Sequence, residues 1–395
     1  MHEHRGRQLV VAIGIQFALA GLTALPSHGQ GSDSALAHLS LVVMYDASAF
    51  AQDTVSERQV DAIPTTGRFR MVRVYVSGLV KVQRAWRYLI SVDVVELLPE
   101  TTKPFSINDL AVIVPVGGGM ELAVGRQKEG ITEQMMASSR ALALTERPAP
   151  VTAFVPTRND GVRLIGGDAR HGRWSVGWLN PEIAAAGPML SGANEFAGRV
   201  FFAPTDEDEG KRLVQVGGSA RWKGAPNGSL RFRTRPETNS APDFPDTKSF
   251  DARGATTLGV DALVQRGAVS VVVEALLTDV ERRDSTSLNF RGYYVEASWR
   301  PAGESRAYDA KNGALGRVRL RDQRPAWEIS GRASHTNLSS EDVDGGVFDR
   351  ASAALSWRTS RSLLMVLEYG YGTLERGGSV GHTQFVTARV QWELR

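Results

Sequence analysis

The feature that most constrains this chain is an alternation of apolar and polar side chains that recurs in segments of about ten residues. In the stretch 293–300 the odd positions are apolar or aromatic, and most even positions are polar or charged. Successive side chains of a strand point to opposite faces of the sheet, so each segment predicts a strand with one apolar face. Aromatic residues recur near the ends of the apolar faces, an arrangement typical of a barrel with aromatic girdles against lipid.

About seventeen segments carry this pattern, and bacterial single-chain barrels have even strand numbers. We therefore expect an all-β fold, a transmembrane antiparallel barrel of about 16 strands, with one false segment. The weakest segments are 109–116, which contains Pro115, and the short 161–166. The predicted strands are 38–48, 69–78, 86–95, 109–116, 120–127, 161–166, 173–180, 196–203, 212–222, 229–235, 255–264, 267–279, 293–300, 327–334, 351–358, 362–373 and 386–394.

The N-terminus has the layout of a secretory signal peptide. Arg5 and Arg7 precede the apolar run 9–25, which is followed by small and polar residues. We expect residues 1–30 to be cleaved and residues 31–395 to form a single outer-membrane barrel domain. A transmembrane anchor is the alternative for this run. The chain has no cysteine, so neither disulfides nor a thiolate metal site are expected in an oxidising compartment.

The segment 128–160 contains no clear strand. Thr132 to Glu146 predicts a short helix, and Pro148, Pro150 and Pro156 interrupt the chain after it. A loop of this length inside a compact fold is usually functional or disordered. In a wide barrel such a loop can fold inward and narrow the lumen.

Two short runs place arginines at alternate positions, which would line one face of a strand with guanidinium groups. Arginine suits anions because its planar fork donates two hydrogen bonds at once. The low-dielectric walls of a pore focus the electric field of cationic groups into the lumen, and this field attracts anions. The alternative is a solvated strand end without a role in conduction. The candidate anion-pathway residues are Arg231, Arg233, Arg235, Arg317, Arg319 and Arg321.

Several stretches resemble the phosphate-selective porin O and P family. They are VGRQKEGI (Val124 to Ile131), FVPTRNDGV (Phe154 to Val162) and YYVEASWRPAGESRAYDAKNGALGRV (Tyr293 to Val318). The resemblance implies a sixteen-stranded homotrimeric outer-membrane barrel whose third loop, here 128–160, folds into the lumen. It further implies passive diffusion of small anions, with phosphate or polyphosphate preferred in the best-known members. It also implies that the first arginine run occupies the place of the family's arginine ladder.

Four cations of the predicted inward loop are candidates for the constriction: Lys128, Arg140, Arg147 and Arg158. Each can equally hold the loop to the wall through a carboxylate, and Glu129 and Glu146 are nearby. One departure from the family weakens phosphate specificity, because Arg70-Met71-Val72-Arg73 has one cation fewer than the family's R-R-A-R.

Three other functions remain open from the sequence. A non-conducting outer-membrane barrel could bind a partner or act in assembly, a barrel enzyme would need a nucleophile beside a histidine, and a soluble exported β-protein would also alternate. The seven histidines show no metal-binding spacing, so no cofactor or metal is expected. The expected partners are small anions, outer-membrane lipid and further copies of the chain. Nucleic acid is not expected.

Overall fold

The computed structural model describes residues 37–81, 85–94, 105–181, 193–283, 286–321 and 324–394. The predicted signal peptide lies outside the described residues. Within this part of the chain, sixteen strands form a closed antiparallel barrel. Each strand pairs with the next barrel strand along the chain, and β20 closes the ring by pairing with β1 from Leu394↔Leu41 to Thr383↔Gln52. The barrel strands are β1 (His38–Gln52), β2 (Thr66–Lys81), β3 (Ala85–Val94), β4 (Phe105–Gly117), β5 (Met120–Gln127), β6 (Asn159–Gly166), β7 (Arg173–Leu179), β8 (Glu195–Glu207), β9 (Arg212–Gly224), β12 (Gly254–Arg266), β13 (Val269–Glu281), β14 (Ser287–Trp299), β17 (Ala326–Ser340), β18 (Val343–Arg358), β19 (Leu363–Arg376) and β20 (Ser379–Leu394).

Four short strands and three short helices lie in the connections between barrel strands. The strands form two separate pairs, β10 with β11 and β15 with β16. These elements are β10 (Ser229–Leu230), β11 (Phe250–Asp251), β15 (Arg306–Asp309), β16 (Ala314–Val318), α1 (Thr54–Val60), α2 (Glu133–Met136) and α3 (Ala149–Phe154), together with a 3-10 turn (Asp208–Gly210).

The barrel has apolar side chains outside and polar side chains inside. On β14, Tyr293, Val295 and Trp299 are exposed, whereas Glu296 and Ser298 are buried. A soluble β-protein would show the opposite pattern, because its exposed face meets water. Large exposed apolar side chains recur on the other barrel strands, so the outer surface suits lipid and the interior suits ions and water.

No helix among the described residues is long and apolar enough to span a membrane.

The predicted fold class is confirmed, and sixteen of the predicted segments coincide with barrel strands. The two weakest segments are real: 109–116 lies in β4, and 161–166 lies in β6. The false segment is 229–235, whose prediction as a barrel strand is wrong. Only its first two residues belong to a strand, and they pair with β11 outside the barrel. Its alternation arises because Phe232 and Thr234 are buried while the arginines between them are not.

Two long connections enter the barrel from opposite ends. We call the end that carries the start of β1 and the end of β20 the terminal end, and the opposite end the loop end. The inward loop (residues 128–158) enters from the loop end, and the terminal hairpin (residues 304–319, with β15 and β16) enters from the terminal end. They meet inside, where the Leu315 N–H donates to Glu133 at 2.8 Å and Ala314 packs against Met136 and Ala137.

The inward loop contains less helix than predicted. The predicted helix from Thr132 to Glu146 is wrong beyond α2, which ends at Met136. Lys128 Nζ donates to the carbonyls of Met136 and Ala137 at 2.9 and 2.8 Å, and Arg147 donates to the carbonyls of Gln134 and Ala137. Side chains therefore occupy carbonyls that a longer helix would need for its own hydrogen bonds.

Candidate functional site

The inward loop is bound to the inner face of β13–β20. The Glu133 N–H donates to Glu274, and the Thr145 N–H donates to Glu368 at 2.8 Å. Arg332 donates to the Glu146 carbonyl at 2.9 Å. Because Glu274, Glu368 and Arg332 point into the barrel, these contacts put the loop inside the lumen and against one side of it.

Buried ion pairs dominate the wall beneath the loop. Each arginine in this set bonds a carboxylate of a neighbouring strand or loop, and both members are nearly inaccessible to solvent. The pairs are Arg332–Glu296 at 2.5 Å, Arg332–Glu237 at 3.0 Å, Arg350–Glu368 at 2.8 Å, Arg389–Asp46 at 2.6 Å and Arg306–Glu328 at 2.6 Å. This wall is close to electrically balanced and anchors the loop, so it offers little net charge to a passing ion.

The opposite wall, formed by β2–β7, contains ion pairs and, from the inward loop, a lysine without a carboxylate partner among the described residues. Many of its inward side chains are half-buried, among them Tyr75, Arg87 and Arg163. Arg73 pairs with Asp93 at 2.8 Å, and Arg158 pairs with Asp109 at 3.0 Å. The inward loop adds Lys128 to this wall.

Lys128 has no carboxylate partner in the described part of the chain, since its ammonium group donates only to two backbone carbonyls. Among the described residues, Arg147 likewise donates to carbonyls alone. Burial lowers the pKa of Lys128 well below its usual value, and repulsion from Arg147 and Arg158 lowers it further. Where the loop faces the β2–β7 wall, Lys128 and Arg147 are therefore two basic side chains without a carboxylate partner among the described residues, an arrangement that favours anions over cations.

A cavity of about 330 Å³ lies beside Arg147, toward the loop end. It brings together residues of β2, the inward loop and the connection 225–253. Its charged lining consists of Arg70, Arg147, Arg233, Arg235, Glu146, Glu237 and Asp243. Arg70 and Glu146 form a two-point pair, with one bond at 2.8 Å. With four arginines against three carboxylates in its lining, the cavity has an excess of one cationic group.

The first predicted arginine ladder lies in this region, but not on the barrel wall. Arg231 is paired with Asp246 at 2.6 Å, and Arg233 with Asp243 at 2.9 Å. Arg235 donates to Asn239 Oδ1 at 2.7 Å. All three belong to the connection 225–253, and only Arg233 and Arg235 line the cavity.

The second predicted ladder lies at the terminal end, in and just after the terminal hairpin. Arg317 pairs with Glu393 of β20, and Arg319 pairs with the exposed Glu209. Arg321 donates to the Gly303 carbonyl at 3.3 Å. The structure therefore places the two ladders toward opposite ends of the barrel, and most of their charges are compensated.

The predicted constriction cations fall into two kinds. Lys128 and Arg147 have no carboxylate partner in the part of the chain that the structure describes. Arg158 bonds Asp109, and the guanidinium of Arg140 lies 4.5 Å from the ring centre of Tyr75 and 3.8 Å from Glu393. The loop thus contains both basic side chains without a carboxylate partner among the described residues and basic side chains attached to the wall.

The list of candidate site residues drawn from the sequence omitted five arginines of the β2–β7 wall, of which Arg70 and Arg73 were considered only in the comparison with the family pattern: Arg70, Arg73, Arg87, Arg163 and Arg173. Each occupies an inward position of a strand that was predicted correctly. Strand phase could have revealed Arg73, Arg87 and Arg163, because their neighbours on both sides in sequence are apolar. Arg70 lies at a β-bulge beside the inward Met71, so a simple two-residue period does not place it.

Comparisons with known proteins agree with this geometry. The family model for phosphate-selective porin O and P matches residues 43–394. Among solved structures, the chain is similar to an anion-selective porin from Comamonas acidovorans (TM-score 0.57, 11% identity, covering 91% of this chain and 100% of that one). It is also similar to the trimer form of OmpT, an outer membrane protein of Vibrio cholerae (0.56, 11%, 91% and 100%). A third similar structure is the outer membrane channel DcaP of Acinetobacter baumannii (0.55, 9%, 93% and 100%). No curated protein sequence gives a significant match.

At these identities the solved structures establish the fold, and the family match establishes the relationship. A closed sixteen-stranded barrel with an apolar outside, a polar inside and an inward loop is the architecture of an outer-membrane porin. Since the family model covers nearly the whole chain, the chain belongs to the phosphate-selective porin O and P family of outer-membrane porins.

Proposed function

We propose that this porin lets small anions diffuse passively across the outer membrane, along the space between the inward loop and the β2–β7 wall. The observation that carries the proposal is the uncompensated charge of Lys128 and Arg147 beside Arg73 and Arg158. Chloride or phosphate would meet a positive potential at the constriction, and potassium would be repelled.

Phosphate or polyphosphate is the favoured solute within this class. The cavity at the loop end presents guanidinium groups together with Thr152, Thr234 and Thr238. Guanidinium and hydroxyl donors match the acceptor oxygens of phosphate better than they match a spherical halide. The family's description points the same way.

Assembly and export complete the proposal. The exposed apolar outer face would contact outer-membrane lipid and neighbouring subunits, and a homotrimer accords with the trimeric form of the similar OmpT structure. The short turns at the terminal end would face the periplasm. Residues 1–30 would direct export as a cleaved signal peptide.

A second candidate function is a non-conducting barrel that binds a partner or acts in assembly. The observation in its favour is that the inward loop and the terminal hairpin meet inside the lumen through Glu133 and Leu315. Conduction therefore depends on the space left beside these two segments.

Ion efflux from liposomes that contain the purified barrel separates the two functions. We expect chloride efflux to exceed potassium efflux, and Lys128→Gln to reduce the difference without changing the folded state. Lys248→Gln is the matched control, because Lys248 is exposed on the loop end and already paired with Asp246. Equal efflux of both ions, or no efflux from the folded barrel, would overturn the anion-pore proposal.

A further inference from the structure

Part of the inner face of the barrel is apolar, on β2–β4 toward the terminal end. Leu79 and Ile113 are both direct cross-strand partners of Arg87, which points into the lumen. Leu89 lies two residues after Arg87 on β3 and therefore points the same way. We call Leu79, Leu89 and Ile113 the apolar strip.

The apolar strip departs from the alternation seen on β14, because the adjacent residues on the lipid side are apolar too. These outward neighbours are Val80, Ile90 and Val112. A barrel strand needs an apolar face only toward lipid, and apolar side chains that face an aqueous lumen forgo the stabilisation of burial. The stability of the barrel therefore does not account for the strip.

The apolar strip is not packed into a core. Leu79 is 39% exposed, and the other two side chains are half-buried. No apolar cluster within the described ranges contains any of the three. The inward apolar side chains of the adjoining surface are, in contrast, at most 2% exposed and form a closed cluster of Val42, Met44 and Met71. The strip therefore leaves apolar surface uncovered on the side of the proposed pathway.

Basic side chains border the apolar strip. Toward the loop end, the guanidinium of Arg140 lies 4.5 Å from the ring centre of Tyr75 on β2. Within the row of the strip itself, Arg87 shares Glu121 with Arg173, at N–O distances of 2.7 and 3.7 Å. Among the described residues this group of three has one more cation than anion. A solute with an anionic head and an apolar tail therefore matches this surface in both charge and apolarity.

We propose that the apolar strip binds the hydrocarbon part of small organic anions, such as aliphatic or aromatic sulfonates and carboxylates. These anions would be retained beside the strip longer than inorganic anions of the same charge. A hydrocarbon chain that lies on Leu79 and Leu89 removes apolar surface of both solute and wall from water, whereas chloride gains nothing there. The proposal rests on the proposed function for attraction of the anionic head, and it adds a solute class.

The test is the block of KCl current through single barrels in a planar bilayer by methanesulfonate and by hexanesulfonate. Both carry the same permanently charged head, so they differ only by five methylene groups. A fully buried methylene improves binding about fourfold, and a chain on one wall buries roughly half of its surface, which gives about twofold per methylene. Hexanesulfonate should therefore block at a concentration about 30-fold lower than methanesulfonate.

A variant with both Leu79→Ser and Leu89→Ser assigns this difference to the strip. Polar side chains are ordinary on the lumen face of a barrel, so the variant should fold. We expect the ratio of the two blocking concentrations to fall at least fivefold, whereas Leu89→Met, which keeps an apolar side chain of similar volume, should preserve it. Ile90→Ser is the matched control, because it makes the same kind of change at the adjacent position on the lipid side.

The block is read as a fraction of the total KCl current, so it is measurable whether or not that current is chloride-selective. A current without chloride preference would refute the proposed function and leave this ratio to be read separately. Equal block by the two sulfonates would mean that another part of the chain covers the strip, and would overturn the proposal. An unchanged ratio in the double variant would also overturn it, and a folded barrel without current would overturn both.

Discussion

The strongest test of the loop anchor is the replacement Glu237→Gln. Glu237 lies in the connection 225–253, and its side chain is almost fully buried. Its carboxylate accepts hydrogen bonds from Arg332 at 3.0 Å, from Ser334 at 2.6 Å and from the Ala149 N–H at 2.9 Å. Through these bonds it ties the connection 225–253 and the inward loop to β17.

The expected size of the effect follows from those partners. Removing one member of a buried ion pair costs about 3–5 kcal/mol. Arg332 retains Glu296, so the lower end applies, about 3 kcal/mol. Since each 1.4 kcal/mol is a factor of about ten, the detached population of the loop should rise roughly 100-fold.

Hydrogen exchange followed by mass spectrometry measures this population directly. Amides of residues 145–151 should exchange roughly 100-fold faster in Glu237→Gln, while those of the β18–β20 ladder keep their protection. Glu341→Gln, at an exposed carboxylate on the loop end, is the control and should change neither. Exchange of 145–151 that stays within threefold of the unmodified protein would refute the anchoring role of Glu237.

Three further predictions concern charge and closure. Because Lys128 loses its proton at a lower pH than an ordinary lysine, chloride preference should be greatest at acidic pH and should fall as pH rises through the lowered pKa; Lys128→Arg should abolish this fall in reversal-potential measurements, and an unchanged pH profile in that variant would contradict the assignment. Arg231→Ala should leave ion selectivity nearly unchanged, because Asp246 already neutralises Arg231, and a loss of selectivity as large as that of Lys128→Gln would contradict the described pathway. Cysteines at Ala137 and Ala314, in a chain that has none of its own, should form a disulfide that leaves conductance unchanged; a fall in conductance on oxidation would mean that the terminal hairpin leaves the lumen during conduction.

The barrel was predictable because each of its strands carries its own signal, the alternation of apolar and polar side chains, within about ten residues. A wall strand between lipid and lumen must alternate, and that alternation identified sixteen barrel strands, including the proline-bearing 109–116. The same signal failed at 229–235. There the buried face belongs to Phe232, which packs on Phe154 and Phe290 inside the lumen. A two-residue period reports one buried face, but it does not report which sheet, if any, the segment joins.

The candidate site was only partly predictable, because pairing between distant residues is not visible in the sequence. In the sequence, Arg231 and Arg389 are equally cationic. In the structure, Asp246 neutralises Arg231, and Asp46, from the other end of the chain, neutralises Arg389. Lys128 is central to the proposed pathway because it has no such partner among the described residues. The terminal hairpin carries a predicted arginine run, but its entry into the lumen depends on contacts with the inward loop that no local pattern encodes.

The central claim is that uncompensated cations beside the inward loop make this barrel an anion pore. The most direct measurement is the reversal potential of single, unmodified barrels in a planar bilayer under a KCl gradient. We predict a potential of the sign that corresponds to chloride permeating faster than potassium. A potential of the opposite sign, or no current through a correctly folded barrel, would contradict the account.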